Sequence, residues 1–448
     1  MSIGHAPWPG RRRLVKVLAI WENIGLTMAI IIQKYGGTSV GNIDRIRAVA
    51  RRVIQSASKE NKVVVVVSAM AGETNRLIEL GRTVSKRSEG REFDVLLATG
   101  EQVTTALLAL AIEEQGRRAV SFLGHQVQIT TSGAFSRARI ESVNTDRTLK
   151  ALGEGYIVVV AGFQGANSEG SITTLGRGGS DITAVALGVA LKAGRVEFYK
   201  DVDGIFTADP SVCPDARMLP KVTYEEMLEM SYLGAKVLHP RCVEMARRNK
   251  LPLIVRSSLN FNTGTEVVTE EELMEYAAVA GIVCDKDQAK VSLINIPDKP
   301  GILAGIFTAV AEDEVNIDMI VEDTAGADRP ASVSFTCAAA DLAAAEKAAR
   351  KITAKYPGSS CAVRSGLNKL SIVGAGMRLH SGVASRMFTA LAAEDIGVCM
   401  VNTSDIKVSC LIEAKYSELA VRTLHEVFEL GKQPAGKAPG KKRGAARR

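Results

Sequence analysis

Ala29-Ile30-Ile31-Ile32-Gln33-Lys34-Tyr35-Gly36-Gly37-Thr38-Ser39-Val40 is an apolar run closed by a glycine pair, and a helical pattern opens near Asn42. Strand, glycine turn and helix in that order make a phosphate cradle. Residues without Cβ let backbone N–H groups approach an anion, the helix behind offers more donors with a favourable dipole, and Lys34 adds a fixed charge. The same pattern also serves as a strand-to-helix turn that needs glycine only for sharpness, so the stretch alone leaves both readings open. Its spacing answers a narrower question. Gly36 to Gly41 follows a Walker loop, but Asn42 and Ile43 stand where Lys and Ser or Thr are required. A G-x-G-x-x-G fingerprint after a strand and a protein-kinase catalytic loop are both missing from the sequence. A phosphate-handling α/β fold of another kind remains.

Outward from there, apolar residues at Ile43, Ile46, Val49, Val53 and Ile54 mark one face of a helix over 43–58. The unbroken valines 63–67 predict a strand buried on both faces, the kind found in parallel sheets. Helical patterns follow after Thr74-Asn75 and over 93–114. Strands are predicted at 119–123, 156–161, 196–199 and 253–255, and helices at 181–192, 224–230 and 234–248. Strands alternating with helices predict a mostly parallel αβα sandwich.

The chain has 448 residues, 46% hydrophobic and 23% charged, enough for a large core and two to four domains. Its seven cysteines are scattered and lack a C-x-x-C pair, which supports neither a disulfide framework nor a zinc site and points to a reducing, cytoplasmic setting. Residues 432–448 hold no acid, and their Lys and Arg account for the whole formal charge of +7, so the basic balance describes a disordered tail and makes nucleic acid an unlikely partner. Arg11-Arg12-Arg13 before the run 14–20 mimics a signal peptide, but Lys16 interrupts the run and no cleavage site follows. The functional start is expected at Met28, and no membrane span is expected.

Beyond Arg256 the character changes, and a weak internal repeat begins. Strand 291–296 leads through Asp298-Lys299-Pro300-Gly301 into a helix ending near Glu312 and a strand at 315–320. Strand 370–373 leads through Gly374 to Gly382 into a helix ending near Glu394 and a strand at 396–401, with Phe307-Thr308-Ala309 matching Phe388-Thr389-Ala390. Each copy continues with a strand and a helix, a ferredoxin-like βαββαβ unit. The expected division is an extension 1–27, an α/β catalytic domain 28–260, a linker 261–285, α+β modules at 286–366 and 367–431, and the tail 432–448.

Two further glycine-rich clusters lie after strands or before helices. Leu175-Gly176-Arg177-Gly178-Gly179-Ser180-Asp181 opens a helix and carries a guanidinium able to hold a carboxylate or phosphate in a fork; Asp181 also has a plain reading as that helix's N-cap. Lys200-Asp201-Val202-Asp203-Gly204-Ile205-Phe206-Thr207-Ala208-Asp209-Pro210 follows a strand directly, where parallel sheets form their ligand crevice.

These clusters, Lys34–Val40 and Gly234-Ala235-Lys236-Val237-Leu238-His239-Pro240 resemble the signature segments of the aspartate kinases, within the amino-acid kinase family. The repeats after residue 280 resemble the tandem ACT modules that aspartate kinases carry as amino-acid sensors. The resemblance, covering roughly 28–430, implies the amino-acid kinase fold followed by two ACT modules. It implies transfer of the γ-phosphoryl group of ATP, with Mg²⁺ carried by the nucleotide rather than by a protein metal site, to the side-chain carboxylate of L-aspartate. That is the first step of lysine, threonine, methionine and isoleucine biosynthesis. It further implies that Lys34, Tyr35, Gly36, Gly37, Lys200, Asp201, Phe206, Asp209 and Lys236 bind ATP, although Tyr is common in the family where Phe206 stands. Glu101 would pair the substrate ammonium and Arg177 its α-carboxylate, with Thr74, Gly178, Gly179 and Ser180 beside them. Asp181 would orient Lys34, making Lys34, Arg177 and Asp181 the catalytic set. Against this, glutamate is more commonly an exposed helix residue. His125 and His239 receive no chemistry.

The resemblance implies feedback inhibition by lysine, threonine or both, with effectors held by Asp298, Gly301, Ile302, Asn316 and Asp318 in the first module and Val383, Asn402 and Thr403 in the second. Many relatives have Ser at the Asn402 position, which leaves a second effector open. Paired modules imply a homo-oligomer, and Met274 offers an internal start for a separate sensor subunit. Two other readings stand beside this one. Another amino-acid kinase is disfavoured by the tandem modules and the free-ammonium clamp, and a catalytically silent sensor by intact Lys34, Arg177, Asp181 and Lys236.

Overall fold

A computed structural model describes residues 29–432 except 59–60, 88, 236, 274–276 and 324–329. The extension 1–27 with Met28, Lys236, Met274 and the tail from 433 therefore lie outside the described residues. Two compact units divide the rest: one holds the described residues up to Gly204 with Leu238–Thr269, the other Ile205–Val237 with those from Glu270 onward.

The first unit contains, in order, β1 (Ala29–Tyr35), α1 (Ile43–Ser56), β2 (Asn61–Val67), α2 (Glu73–Val84), α3 (Arg91–Glu114), β3 (Ala119–Phe122), β4 (Ile129–Thr131), β5 (Ile140–Val143), α4 (Asp146–Gly153), β6 (Ile157–Ala161), β7 (Gln164–Ala166), β8 (Ile172–Thr174), α5 (Gly179–Ala190), β9 (Arg195–Lys200), α6 (Pro240–Arg248), β10 (Leu253–Ser257) and β11 (Thr265–Val268). Its main sheet runs β11-β10-β9-β1-β2-β6-β3. All neighbours are parallel except β11, which runs antiparallel to β10. The valine run is the reason. Val63 is 1% exposed and Val64 to Val67 are 0% exposed, so both faces of β2 are covered. Val63, Val65 and Val67 share a core with Ile46, Val49 and Val53 of α1 and with Leu108 and Ile112 of α3. Strand alternation turns Val64 and Val66 to the opposite side. On that face Gly188 of α5 lies so close to the sheet that a Cβ would come 2.8 Å from Val196 Cγ2. Each buried valine is worth roughly 1.5 kcal/mol or more relative to exposure. By length and composition α3 could cross a bilayer; here its Leu97, Leu108 and Ile112 are buried together with Asp94 and Glu101.

The expected αβα sandwich is observed, with local differences. α1 stops at Ser56 because Ala57 turns extended, at φ −81 and ψ 111. The helix expected over 234–248 begins only at Pro240: a residue before proline avoids helical backbone, and His239 sits at φ −82, ψ 134. A second sheet, β5-β4-β7-β8, was not foreseen, since strands of three or four residues are too short to show a period.

The second unit contains a helix at Tyr224–Tyr232, then β12 (Gly281–Ile296), α7 (Ile302–Glu312), β13 (Ile320–Asp323), β14 (Ala331–Ala338), α8 (Leu342–Thr353), β15 (Ser360–Val373), α9 (Val383–Ala393), β16 (Val398–Ser404), β17 (Lys407–Glu413) and α10 (Ser417–Val427). Both sequence repeats lie in one antiparallel sheet, β13-β14-β12-β15-β17-β16. The strands expected at 291–296 and 370–373 are the ends of two much longer ones. β12 gives Val291 and Leu293 to one core, with α7 and α8. Its earlier residue Ile282 joins the other core, with Leu370, Met387 and Leu424. The strands expected at 315–320 and 396–401 start later, at Ile320 and Val398. The repeat shows in geometry too. Gly301 (φ +93) and Gly382 (φ +86) precede α7 and α9, and Glu314 and Asp395 both take φ +55 after them. The segment 205–237 packs on the second core through Ala208 and Cys213, and Thr207 Oγ1 lies 2.9 Å from His425 Nε2.

Candidate active site

β1 and β9 are parallel neighbours with Lys34 in register with Phe198, so Lys34 and Lys200 stand near the carboxyl ends of adjacent strands. Asp181, in the first turn of α5, receives both: Lys34 Nζ at 2.6 Å from Oδ1 and Lys200 Nζ at 3.0 Å from Oδ2. Asp181 is not the helix cap. Gly178 takes that place, with φ +72, and a Cβ there would lie 2.5 Å from the His239 ring, so glycine is required twice over. Burial works to raise the Asp181 carboxyl, but the Lys200 and Lys34 ammonium groups outweigh it and hold it at about 2. Burial likewise lowers Lys34, against the opposing pull of Asp181. Lys34 and Asp181 are each 5% exposed. Two ammonium groups on one carboxylate leave an excess positive charge in a largely dry place, which favours an anionic partner.

The glycine pair divides its duties. Gly37 opens a 3₁₀ turn (Gly37–Val40), and a Cβ on it would lie 2.9 Å from the Ala69 carbonyl oxygen. Gly36 has room for a Cβ, and its N–H points to Tyr199 O at 3.4 Å. The Tyr35 side chain is not brought to this centre. It is fully buried on the α1 side, stacked on Tyr199 at 4.6 Å, and donates to Gln33 Oε1. Asp201 is exposed.

The expected amino-acid clamp lies on α3 and the loop before α5. A Cβ on Gly100 would meet Ala69 Cβ at 2.9 Å, so glycine lets α3 approach the end of β2 closely. Glu101 Oε1 there accepts the Ala69 N–H at 3.0 Å, while Oε2 is buried with no hydrogen-bond partner among the described residues. Burial pushes this carboxyl up to about 7, against the Ala69 N–H and the Lys34 charge. Arg177 is exposed and has no hydrogen-bond or ion-pair partner among the described residues; Gly179 and Ser180 are buried, and Thr74 is half-buried in the first turn of α2. The plain reading of Glu101 as an exposed helix residue therefore fails. Sequence reasoning missed Asp94 and Arg241, which hold the Arg177 loop. A lone acid in a helix and a lone arginine carry no signal without their partners in space.

Phe206 and Asp209 belong to the second unit. Phe206 bridges Met218, and Asp209 Oδ1 accepts the Ser211 N–H and hydroxyl at 2.9 and 2.7 Å. Of the expected effector residues, Asp298, Asn316 and Thr403 are exposed, Asn402 is half-buried, and Ile302 and Val383 are the first residues of α7 and α9. Asp318 is engaged: Lys369, 2% exposed on β15 and not foreseen, places Nζ 2.5 Å from Oδ2.

Among the described residues no group of three or more His, Cys, Asp or Glu side chains converges as a metal site. The model of the amino acid kinase family matches residues 29–257, and ACT domain models match 292–354 and 370–428. The chain is similar to the aspartokinase of Helicobacter pylori strain 26695, with 47% identity over 90% of this chain and 99% of that one. It is similar to the aspartate kinase Ask_LysC of Stutzerimonas stutzeri, with 48% identity over 91% of this chain and 99% of that one. Among solved structures it resembles E. coli aspartokinase III in complex with aspartate and ADP, with a TM-score of 0.74 at 26% identity, covering 89% of this chain and 99% of that one. The same enzyme in complex with lysine and aspartate gives a TM-score of 0.68 at 26% identity, with the same coverage.

Proposed function

The chain belongs to the amino acid kinase family, among the aspartokinases, and from that premise we infer that it transfers the γ-phosphoryl group of ATP to the side-chain carboxylate of L-aspartate, giving 4-phospho-L-aspartate and ADP. One observation carries the residue assignment: the buried Lys34 and half-buried Lys200 ammonium groups meet on buried Asp181, and a buried, half-satisfied carboxylate at Glu101 lies in the same α/β unit, close enough for Lys34 to act on it. The acceptor carboxylate is already ionised near neutral pH, so no general base is needed. The chemistry needs two anions aligned and the charge on the transferring group neutralised. Lys34 and Lys200 supply positive charge for the phosphates, and Asp181 fixes both ammonium groups before substrate arrives. Glu101 Oε2 takes the substrate ammonium, and the unpaired Arg177 guanidinium takes its α-carboxylate in a fork. Reading both groups selects an amino acid over a simple diacid. Mg²⁺, arriving on the nucleotide, adds charge neutralisation at the phosphates.

The E. coli relative crystallised with lysine supports a matching role for the ACT modules here: inhibition by lysine, threonine or both, in a homo-oligomer built through those modules. Purified enzyme with ATP, Mg²⁺ and aspartate is expected to form an acyl phosphate that hydroxylamine traps, and to lose rate when lysine and threonine are added singly or together. No trapped product would refute the activity, and rates indifferent to both amino acids would refute the regulation.

A further inference from the structure

We propose that Asp94 is a positioning residue for the amino-acid clamp, holding the α3 face that carries Glu101 and the strand that leads into the Arg177 loop at one fixed separation. The proposal rests on reading Glu101 and Arg177 as the clamp. Asp94 is 0% exposed, and its carboxylate is filled by donors from two other segments. Ser136, between β4 and β5, gives its N–H at 3.0 Å to Oδ1 and 2.9 Å to Oδ2, and its hydroxyl at 3.2 Å to Oδ1. Thr174, the last residue of β8, gives its N–H at 2.7 Å to Oδ2 and its hydroxyl at 2.9 Å to Oδ1.

Asp94 precedes Glu101 by two helical turns, about 10 Å along the axis and on nearly the same side. Thr174 stands on the short run of chain that leads to Arg177. One carboxylate thus joins the two arms of the clamp. The loop rests on the same bracket: a Cβ on Gly176 would lie 3.1 Å from the Ser136 carbonyl oxygen, and Ser136 is held at φ +65, a conformation non-glycine residues rarely adopt. Arg241 closes the far side, donating to Leu175 O at 3.0 Å and to Ala138 O at 3.3 Å. Neither Asp94 nor Ser136 needs to touch substrate to set where Arg177 stands relative to Glu101.

A positioning role and a merely structural one differ in what they move. Asp94→Ala is expected to raise KM for aspartate at least tenfold while KM for ATP stays within twofold. Asp94→Asn is expected to stay within threefold on both, because its carbonyl oxygen can accept the two N–H groups while its NH₂ donates to the two hydroxyls, which turn to accept. If both KM values rise together in Asp94→Ala, if neither rises, or if Asp94→Asn is as impaired as Asp94→Ala, the proposal is overturned. Should Asp94→Ala fail to fold, as judged by circular dichroism, Thr174→Val decides: a threefold or larger rise in KM for aspartate alone supports the bracket, and an unchanged value overturns it. Glu101→Gln and Arg177→Ala run alongside; if these leave KM for aspartate unchanged, the clamp reading fails instead.

Discussion

Taking the enzyme from pH 8 to pH 6 should weaken its use of aspartate about tenfold, through one carboxyl group. Glu101 is 3% exposed, its Oε2 has no hydrogen-bond partner among the described residues, and burial lifts it to about 7. Only the ionised form can pair a substrate ammonium. A group titrating near 7 is roughly 90% ionised at pH 8 and roughly 10% at pH 6, so kcat/KM for aspartate should fall by about a factor of ten, and by one decade per pH unit below that. The assay is the initial rate of ADP release at saturating ATP and varied aspartate, repeated with Glu101→Gln. The nucleotide's own titration is common to both enzymes, so the difference between the profiles isolates this carboxyl. At pH 8 the variant should lose at least about 2 kcal/mol of transition-state binding, roughly thirtyfold in kcat/KM, because the substrate ammonium meets no charge. Stability should move the other way. The folded carboxyl titrates above its unfolded value, so the stability it lends is present in acid and is lost as pH rises through about 7. At pH 8 the unliganded wild type bears a cost of up to about 3 kcal/mol that Gln avoids, and Glu101→Gln should melt higher there but not at pH 5. A flat wild-type profile from pH 6 to 8, or the same break in the variant, would refute the assignment.

Three further outcomes are expected. Lys34→Ala should lower kcat by two orders of magnitude or more while leaving calorimetric binding of lysine or threonine unchanged, and near-normal turnover would mean the phosphate cradle is misassigned. Asp181→Asn strands two ammonium groups that now share one carboxylate, and denaturant unfolding at pH 7 should show a loss of about 3 kcal/mol; the wild-type contribution is present above the ordinary aspartate range and lost only as pH falls toward 2, so a loss below 1 kcal/mol would contradict the ion-pair geometry. Gly178→Ala forces φ +72 on a residue with a Cβ and drives that carbon into the His239 ring, so it should cost about 1–3 kcal/mol and raise KM for aspartate; an unchanged melting point would show that the loop relaxes freely.

The sandwich was legible because its strongest signals are local. An unbroken valine run has one good place to go, and Lys34 and Lys200 close strands that the β/α alternation makes neighbours. Glu101 was legible only through resemblance, since nothing in an isolated helix pattern says that Gly100 draws that turn against Ala69. Asp94 had no such cue, because its meaning lies in Ser136 and Thr174, distant in sequence. Asp181 carried a second, plain reading as a cap because capping and ion pairing favour the same residue at the start of a helix; the left-handed Gly178 at the cap position decides the matter. The two long strands were seen only at one end each. In β12 the apolar residues serve different cores on either side of a polar middle, Asp285 to Gln288, which breaks the alternation at the crossing point.

That crossing has a consequence for how the chain comes off the ribosome. The early end of β12, Gly281 to Asp285, pairs with the late end of β15, Leu370 to Val373 and Lys369, and Ile282 enters a core completed by Leu424. At roughly 5–20 residues per second, the early strand waits several seconds while all of the first repeat is made. The later part of β12 can meet β14 and its helices before then, so the repeat that comes first in sequence can close first. The second closes only by reaching back to a segment synthesised before its neighbour, which leaves that edge of nascent strand 281–285 open until residues 369–373 have been made.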